Sequence, residues 1–222
     1  MFHSKLLKTI NSATNLEISD SRKLVLKELV KYINTKRASK SEVNLNFICT
    51  HNSRRSQFCQ IWAETASAYY NKKTYCYSGG LVVTEFNVNA VNTMKKSGFE
   101  VIKSGSKNPT YSLYYSNSRV RPISVFSKLY NDPANKANSF AAITTCSDAE
   151  ENCPFILNAE KRIFLQYDDP KLFDNLPNKW KNILTVRCKL PQNYFMYFET
   201  YNKIFLKNHL FDKNDFYHIL DK

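Results

Sequence analysis

Apolar and polar positions change period several times along this chain, and each change marks an element. Leu24, Leu26, Leu29, Val30 and Ile33 recur along one helical face behind a capping Ser19 or Asp20, which predicts a helix ending near Lys36. Residues 1–17 carry weaker periodicity, a short helix or a partly ordered arm, and Arg37 to Ser41 reads as a linker. Val43 to Ile48 alternates as a strand does, whereas Gln57 to Tyr70 sets Phe58, Ile61, Trp62 and Ala66 at helical spacing. Thr74 to Ser78 predicts a second strand turned by Gly79-Gly80, and Asn89 to Ser97 predicts a helix stopped by Gly98. Val101-Ile102, Tyr111 to Tyr115 and Ile123 to Tyr130 read as an inserted antiparallel hairpin or small sheet. Its tyrosines either line a substrate groove or cover a sheet face. Phe140 to Thr145 and Lys161 to Gln166 are further strands, and Trp180, Val186 and Tyr194 to Phe205 predict a last covering helix.

Strands that alternate with helices in this order predict an α/β fold: a four-stranded parallel sheet with helices on both faces. The expected organisation is an N-terminal helical extension over residues 1–40 and one domain over 41–222, with the insertion at about 99–138. In such sheets ligands bind at the carboxyl ends of the strands. Cys49, Cys146 and Asp169 each follow a predicted strand, so one sheet edge can gather all three.

Composition adds a packed globule and a strong positive charge. The 222 residues are 43% hydrophobic and 14% aromatic, with a net charge of +13. That charge favours anionic ligands. The lysines are scattered among asparagines without a dense basic run, so no nucleic-acid partner is expected. No apolar stretch approaches the ~20 residues that span a bilayer, and no signal core opens the chain, so no membrane partner and a cytoplasmic setting are expected. The six cysteines lack the spacing of a secreted disulfide framework or a zinc site. In a reducing compartment a cysteine pair is more often catalytic than structural. Cys59, Cys76 and Cys188 sit in no motif and read as core or surface thiols.

The candidate chemistry centres on Phe47-Ile48-Cys49-Thr50-His51-Asn52-Ser53-Arg54-Arg55-Ser56. Cys49 falls on a strand-to-helix turn, where backbone N–H groups and the helix dipole hold an oxyanion and favour the reactive thiolate. Arg55 is a planar, permanently charged fork for two oxygens of a tetrahedral anion. Ser56 has a hydroxyl to donate to the sulfur, and Asn52 tolerates left-handed backbone. The segment resembles the phosphate-binding loop of the low-molecular-weight protein tyrosine phosphatases. It resembles still more that of the thioredoxin-coupled arsenate reductases built on that fold, whose loop reads Cys-Thr-Gly-Asn-Ser-Cys-Arg-Ser. His51 stands where the family has Gly, and Arg54, where it often has Cys, adds positive charge at the mouth.

A second motif sharpens the resemblance. In Cys146-Ser147-Asp148-Ala149-Glu150-Glu151-Asn152-Cys153-Pro154 the two thiols meet only if the acidic segment between them rearranges, as a redox relay requires. The stretch is similar to the second cysteine motif of those reductases, which ordinary tyrosine phosphatases lack. By the same resemblance Asp169, in Tyr167-Asp168-Asp169-Pro170, is the general acid, Asp168 a loop neighbour, and Ser78 a brace for the anion loop.

The resemblance implies reduction of arsenate to arsenite through Cys49, Cys146 and Cys153, recycled by a thioredoxin-like reductant. Residues Thr50, His51, Asn52, Ser53, Arg54, Arg55 and Ser56 would hold the oxyanion. Two other readings stay open: a phosphatase acting on phosphotyrosine or aryl phosphates through Cys49, and a non-catalytic oxyanion or redox sensor. Gln60 stands where some relatives have a Glu of a potassium site, so no metal is expected, and no organic cofactor is implied.

Overall fold

The computed structural model describes residues 1–119, 121–152 and 155–174. Strands β1 (Asn44–Cys49), β2 (Tyr75–Gly80), β6 (Phe140–Thr144) and β7 (Ala159–Phe164) form a four-stranded sheet in the order β2-β1-β6-β7. All three pairings are parallel. β1 and β6 are buried along their whole length; β6 is apolar up to Thr144, whereas β1 carries two buried asparagines whose side-chain amides donate to Ser139 O and Tyr130 O. Leu45, Phe47, Ala141, Ile143 and Ile163 belong to the larger core, with Phe58, Ile61 and Trp62 of helix α3 (Arg55–Tyr69). Ile48, Phe140 and Ala142 belong to a smaller cluster with Ala149 of helix α5 (Ser147–Asn152). The period-two alternation of the strands thus supplies two faces, each covered by helix, as predicted.

Two helices precede this sheet. α1 (Ser4–Thr14) and α2 (Asp20–Ala38) place Leu6, Ile10, Leu26, Leu29 and Ile33 in the larger core, almost fully buried. The Ser19 hydroxyl caps α2 by accepting from Arg22 N–H. Helix α4 (Val88–Ser97) ends at Gly98, whose φ of 105° is left-handed. A Cβ there would also lie 2.4 Å from the Leu6 nitrogen, so Gly98 admits the backbone of α1.

The insertion is a three-stranded antiparallel sheet of β3 (Glu100–Ser104), β4 (Thr110–Tyr114) and β5 (Ile123–Val125). Two expectations fail nearby. The strand expected over Ile123 to Tyr130 stops at Val125, because the chain then turns beneath the Cys49 loop: Lys128 N–H donates to Asn52 Oδ1, and Gly80 N–H donates to Lys128 O. Gly79-Gly80 is no turn but the end of β2, paired with Ile48 and Cys49. A Cβ on Gly79 would lie 2.1 Å from the Tyr130 Cα, so only glycine lets the 127–130 segment close on the strand. The helix expected around Trp180, Val186 and Tyr194 to Phe205, together with Cys188, lies outside the described residues.

Candidate active site

Cys49 ends β1, between the carboxyl ends of β2 and β6, where the strand order reverses and a crevice opens. The loop that follows turns its carbonyls outward. Thr50 O accepts from the Leu81 and Val82 amides, His51 O from the Thr84 and Ser127 hydroxyls, Asn52 O from Gln57 Nε2, and Ser53 O from the Asn87 amide. A peptide unit whose carbonyl points out points its N–H in, so these four anchors aim successive amides at the hollow. The first helical bond runs from Phe58 N–H to Arg54 O, which leaves the amides of residues 55–57 ahead of it. Asn52 is the loop residue in left-handed backbone, at φ 44°. His51 in the place of the family's Gly is accommodated because the positive φ falls one residue later.

Cys49 Sγ lies 3.0 Å from Ser56 Oγ, and Ser56 Oγ accepts from Asn52 Nδ2 at 2.8 Å. With that lone pair taken by an N–H, the serine hydrogen is free for the sulfur. Only the hydroxyl can donate to a thiolate. Cys49 is 4% exposed and lines a cavity of about 380 Å³ walled also by Ser53, Arg54, Arg55, Asp169 and Lys171.

Arg55 Nη2 is 3.1 Å from Asp169 Oδ2, and Arg55 Nη1 donates to Tyr167 O at 3.4 Å. Asp169 caps the 3-10 turn Pro170–Phe173, and its Oδ1 accepts from the Lys171 amide at 2.9 Å. Pro170 at the first position of that turn has no N–H to satisfy and fixes the approach of the aspartate. Asp168 is exposed to solvent.

Cys146 follows β6, the neighbour of β1, and is 2% exposed in the same cluster as Cys49. Thr50 Oγ1 lies 3.6 Å from Cys146 Sγ and donates to Asp148 Oδ2 at 2.5 Å, joining the anion loop to α5. At the other end of α5, Glu150 takes contacts from Thr144 and Arg162. Cys153 lies outside the described residues. Ser78 is fully buried and donates to Gln60 Oε1 at 2.6 Å. Asn52 Oδ1 and Gln60 Oε1 therefore both accept from protein donors, and among the described residues no group of three or more His, Cys, Asp or Glu could hold a metal. Cys59 and Cys76 are buried core thiols; burial and the nearby Glu64 push the Cys76 thiol well up.

Sequence reasoning missed Thr84, Glu85, Asn87 and Lys171 in the cavity wall, and Ser127 and Lys128 behind the loop. No local signal marks Thr84, Glu85, Asn87, Ser127 and Lys128, since each meets the loop through a contact distant in sequence, whereas Lys171 lies two residues beyond Asp169 and donates its amide to that carboxylate. None of the insertion's tyrosines is in the cavity wall; Tyr111 packs edge-on against Phe86 instead, centroids 5.6 Å apart. Among the described residues no helix is long and apolar enough to cross a membrane.

No protein-family model matches the chain. The arsenate reductase of Bacillus licheniformis is 27% identical over 161 residues, spanning 72% of this chain and 98% of that protein. The arsenate reductase of Staphylococcus aureus strain Newman is 31% identical over 124 residues, 56% of this chain and 76% of that protein. Among solved structures, a low-molecular-weight protein tyrosine phosphatase from T. tengcongensis superposes at a TM-score of 0.43 and 15% identity, covering 75% of this chain and 99% of that one. The sequence relatives carry the assignment: the chain belongs to the arsenate reductase family of enzymes that resemble the low-molecular-weight tyrosine phosphatases.

Proposed function

We propose that the chain reduces arsenate to arsenite with Cys49, Cys146 and Cys153 as successive thiols. The observation that carries this reading is the 3.6 Å approach of the Thr50 hydroxyl, in the anion loop, to the Cys146 sulfur on the neighbouring strand end. Arg55 is paired with Asp169. An arriving oxyanion competes for the guanidinium, and Asp169, released beside the anion, takes up the proton it later delivers.

The Cys49 thiolate attacks arsenic(V), an As–S bond forms, and one arsenic oxygen leaves as water with the proton from Asp169. Loop amides and Arg55 hold the charge on the remaining oxygens. Cys146 sulfur then attacks Cys49 sulfur: the S–S bond forms, the As–S bond breaks, and its electron pair stays on arsenic, which departs as arsenite. Two thiols are thereby oxidised and arsenic is reduced by two electrons. Cys153 attacks Cys146, freeing Cys49 as a thiolate, and a thioredoxin-like dithiol reduces the Cys146–Cys153 disulfide. The reducing cytoplasm is the compartment that keeps such thiols available.

The test is Cys146→Ser with arsenate and a thioredoxin system. Multiple turnover should fall at least about a hundredfold, while cleavage of p-nitrophenyl phosphate stays within about twofold. Sustained arsenate turnover by the variant would end the relay. A second reading, hydrolysis of phosphotyrosine or aryl phosphates, is favoured by one feature: the cavity wall holds Cys49, Arg55 and Asp169 and does without Cys146. Turnover of phosphate esters without any thiol donor, exceeding arsenate reduction, would make that reading the main one.

A further inference from the structure

The anion loop reverses at Asn52, whose φ of 44° is left-handed, and two consecutive residues of a segment distant in sequence hold that reversal. Ser127 Oγ donates to His51 O at 3.0 Å and accepts from the Thr84 amide at 2.9 Å. Lys128 N–H donates to Asn52 Oδ1 at 3.0 Å. The first contact fixes the plane of the His51–Asn52 peptide. The second leaves Asn52 Nδ2 directed at Ser56 Oγ, which lies 3.0 Å from the Cys49 sulfur. Ser127 and Lys128 belong to no helix or strand, yet they are buried to 1% and 4% exposure.

What orders them comes from the insertion. Asn108 lies in the bend between β3 and β4, and its carboxamide grips the Ser127 backbone on both sides: Nδ2 donates to Ser127 O at 2.8 Å, and Oδ1 accepts from Ser127 N–H at 3.2 Å. Two bonds to one residue fix its rotation as well as its position, as the paired bonds of an antiparallel ladder do. Asn108 is itself left-handed, at φ 43°, a conformation that asparagine tolerates. We infer that Asn108 is a positioning residue for the oxyanion site, which acts through Ser127 to hold the His51 carbonyl outward and the loop amides toward the anion. The inserted sheet is thereby a buttress of the anion loop. Without the carboxamide, Ser127 keeps its hydroxyl but loses its fixed direction, and the arriving anion must order the loop at a cost in affinity. This rests on the oxyanion reading of the cavity and is independent of the thiol relay.

Two measurements on the reduced full-length chain test it: titration calorimetry with inorganic phosphate, and the pH dependence of Cys49 alkylation by iodoacetamide, read by peptide mass. Asn108→Gly removes the carboxamide and keeps the left-handed backbone accessible, and Ser127→Ala removes the hydroxyl alone. Each should weaken phosphate binding about tenfold and raise the alkylation midpoint by about half a pH unit, because the thiolate loses part of its stabilising field. The combined variant should lose less than about threefold beyond the larger single loss, since both changes interrupt one path. Ser106→Ala, in the same bend and exposed, should stay within about twofold in phosphate affinity. A role confined to folding would lower Tm and leave phosphate affinity and the midpoint where they were. Phosphate affinity of Asn108→Gly within about twofold of the unmodified chain, an unmoved midpoint, or losses that multiply in the combined variant each overturns the inference. A chain that follows the expected pattern yet fails to reduce arsenate refutes the relay alone. Absence of phosphate binding in the unmodified chain refutes the oxyanion reading and this inference with it.

Discussion

Four described cysteines are buried, Cys49 and Cys146 at strand ends, Cys59 and Cys76 within α3 and β2, and their exposures of 4%, 2%, 0% and 5% hardly differ. Their surroundings do. Cys49 faces inward-turned amides and the Ser56 hydroxyl, and Cys146 faces Thr50 of the same loop. Cys76 has Glu64 as its charged neighbour, so both burial and charge oppose its ionisation. Accessible area therefore does not tell these four thiols apart; what each sulfur faces does.

The comparison is broken most severely by removing the sulfur at the strand end. Cys49→Ser should lower both arsenate reduction and phosphate-ester cleavage by about a thousandfold or more, whereas Cys59→Ser and Cys76→Ser should leave kcat within about threefold. Steady-state assays on the three variants suffice. If Cys76→Ser abolished either activity, the distinction between the two pairs would be wrong.

Next in size is the effect expected at Asp169. Asp169→Asn retains an acceptor for the Lys171 amide but cannot deliver a proton, so cleavage of phosphate esters with poor leaving groups should drop about a hundredfold or more. Esters with a good leaving group need the proton less and should lose less. Equal losses across leaving groups, read from kcat, would assign Asp169 to holding Arg55 and not to proton transfer.

A smaller effect separates the two strand-end thiols from each other. Thr50→Val removes the hydroxyl shared between Cys146 and Asp148 but keeps the bulk of the side chain. Arsenite release in a single turnover should slow about tenfold, while the first step, read with a phosphate ester, stays within about threefold. Slowing of both steps alike would show that Thr50 serves the anion loop as a whole.

How far these contrasts were legible beforehand follows from the range of the contacts. Cys49 on a strand-to-helix turn, and the four parallel strands, were readable because alternation in Val43 to Ile48 and helical spacing after Gln57 are local signals. Asn52 in left-handed backbone was readable for the same reason. The end of β5 at Val125 was not, since the apolar residues beyond it serve a backbone that hydrogen-bonds Asn52 and Gly80 instead of β4. Gly79 and Gly80 looked like a turn because the need for glycine arises from Tyr130 and the Cys49 loop, far away in the chain. Thr50 with Asp148 and Arg54 with Asp174 are 98 and 120 residues apart, and no spacing rule reaches that far.

The smallest effect probes the packing thiol's own neighbour. Burial pushes the Glu64 carboxyl up to about 7 from an ordinary 4.5, with a hydrogen bond from Gln60 opposing it. A folded-state value above the unfolded one means that the native chain binds this proton more tightly, so the contribution is fully present below about pH 4.5 and is lost as pH rises through about 7. Glu64→Gln removes the dependence. Its Tm should match that of the unsubstituted chain near pH 4.5 and exceed it at pH 8, by the equivalent of roughly 2 kcal/mol once partial solvent access is allowed for. Catalysis at pH 8 should stay within about twofold, because Glu64 neighbours Cys76 and is not in the cavity wall. A Tm gain independent of pH would mean that Gln simply packs better there. A catalytic loss would mean that the charge beside Cys76 is felt at Cys49, and that the two kinds of buried cysteine share one field after all.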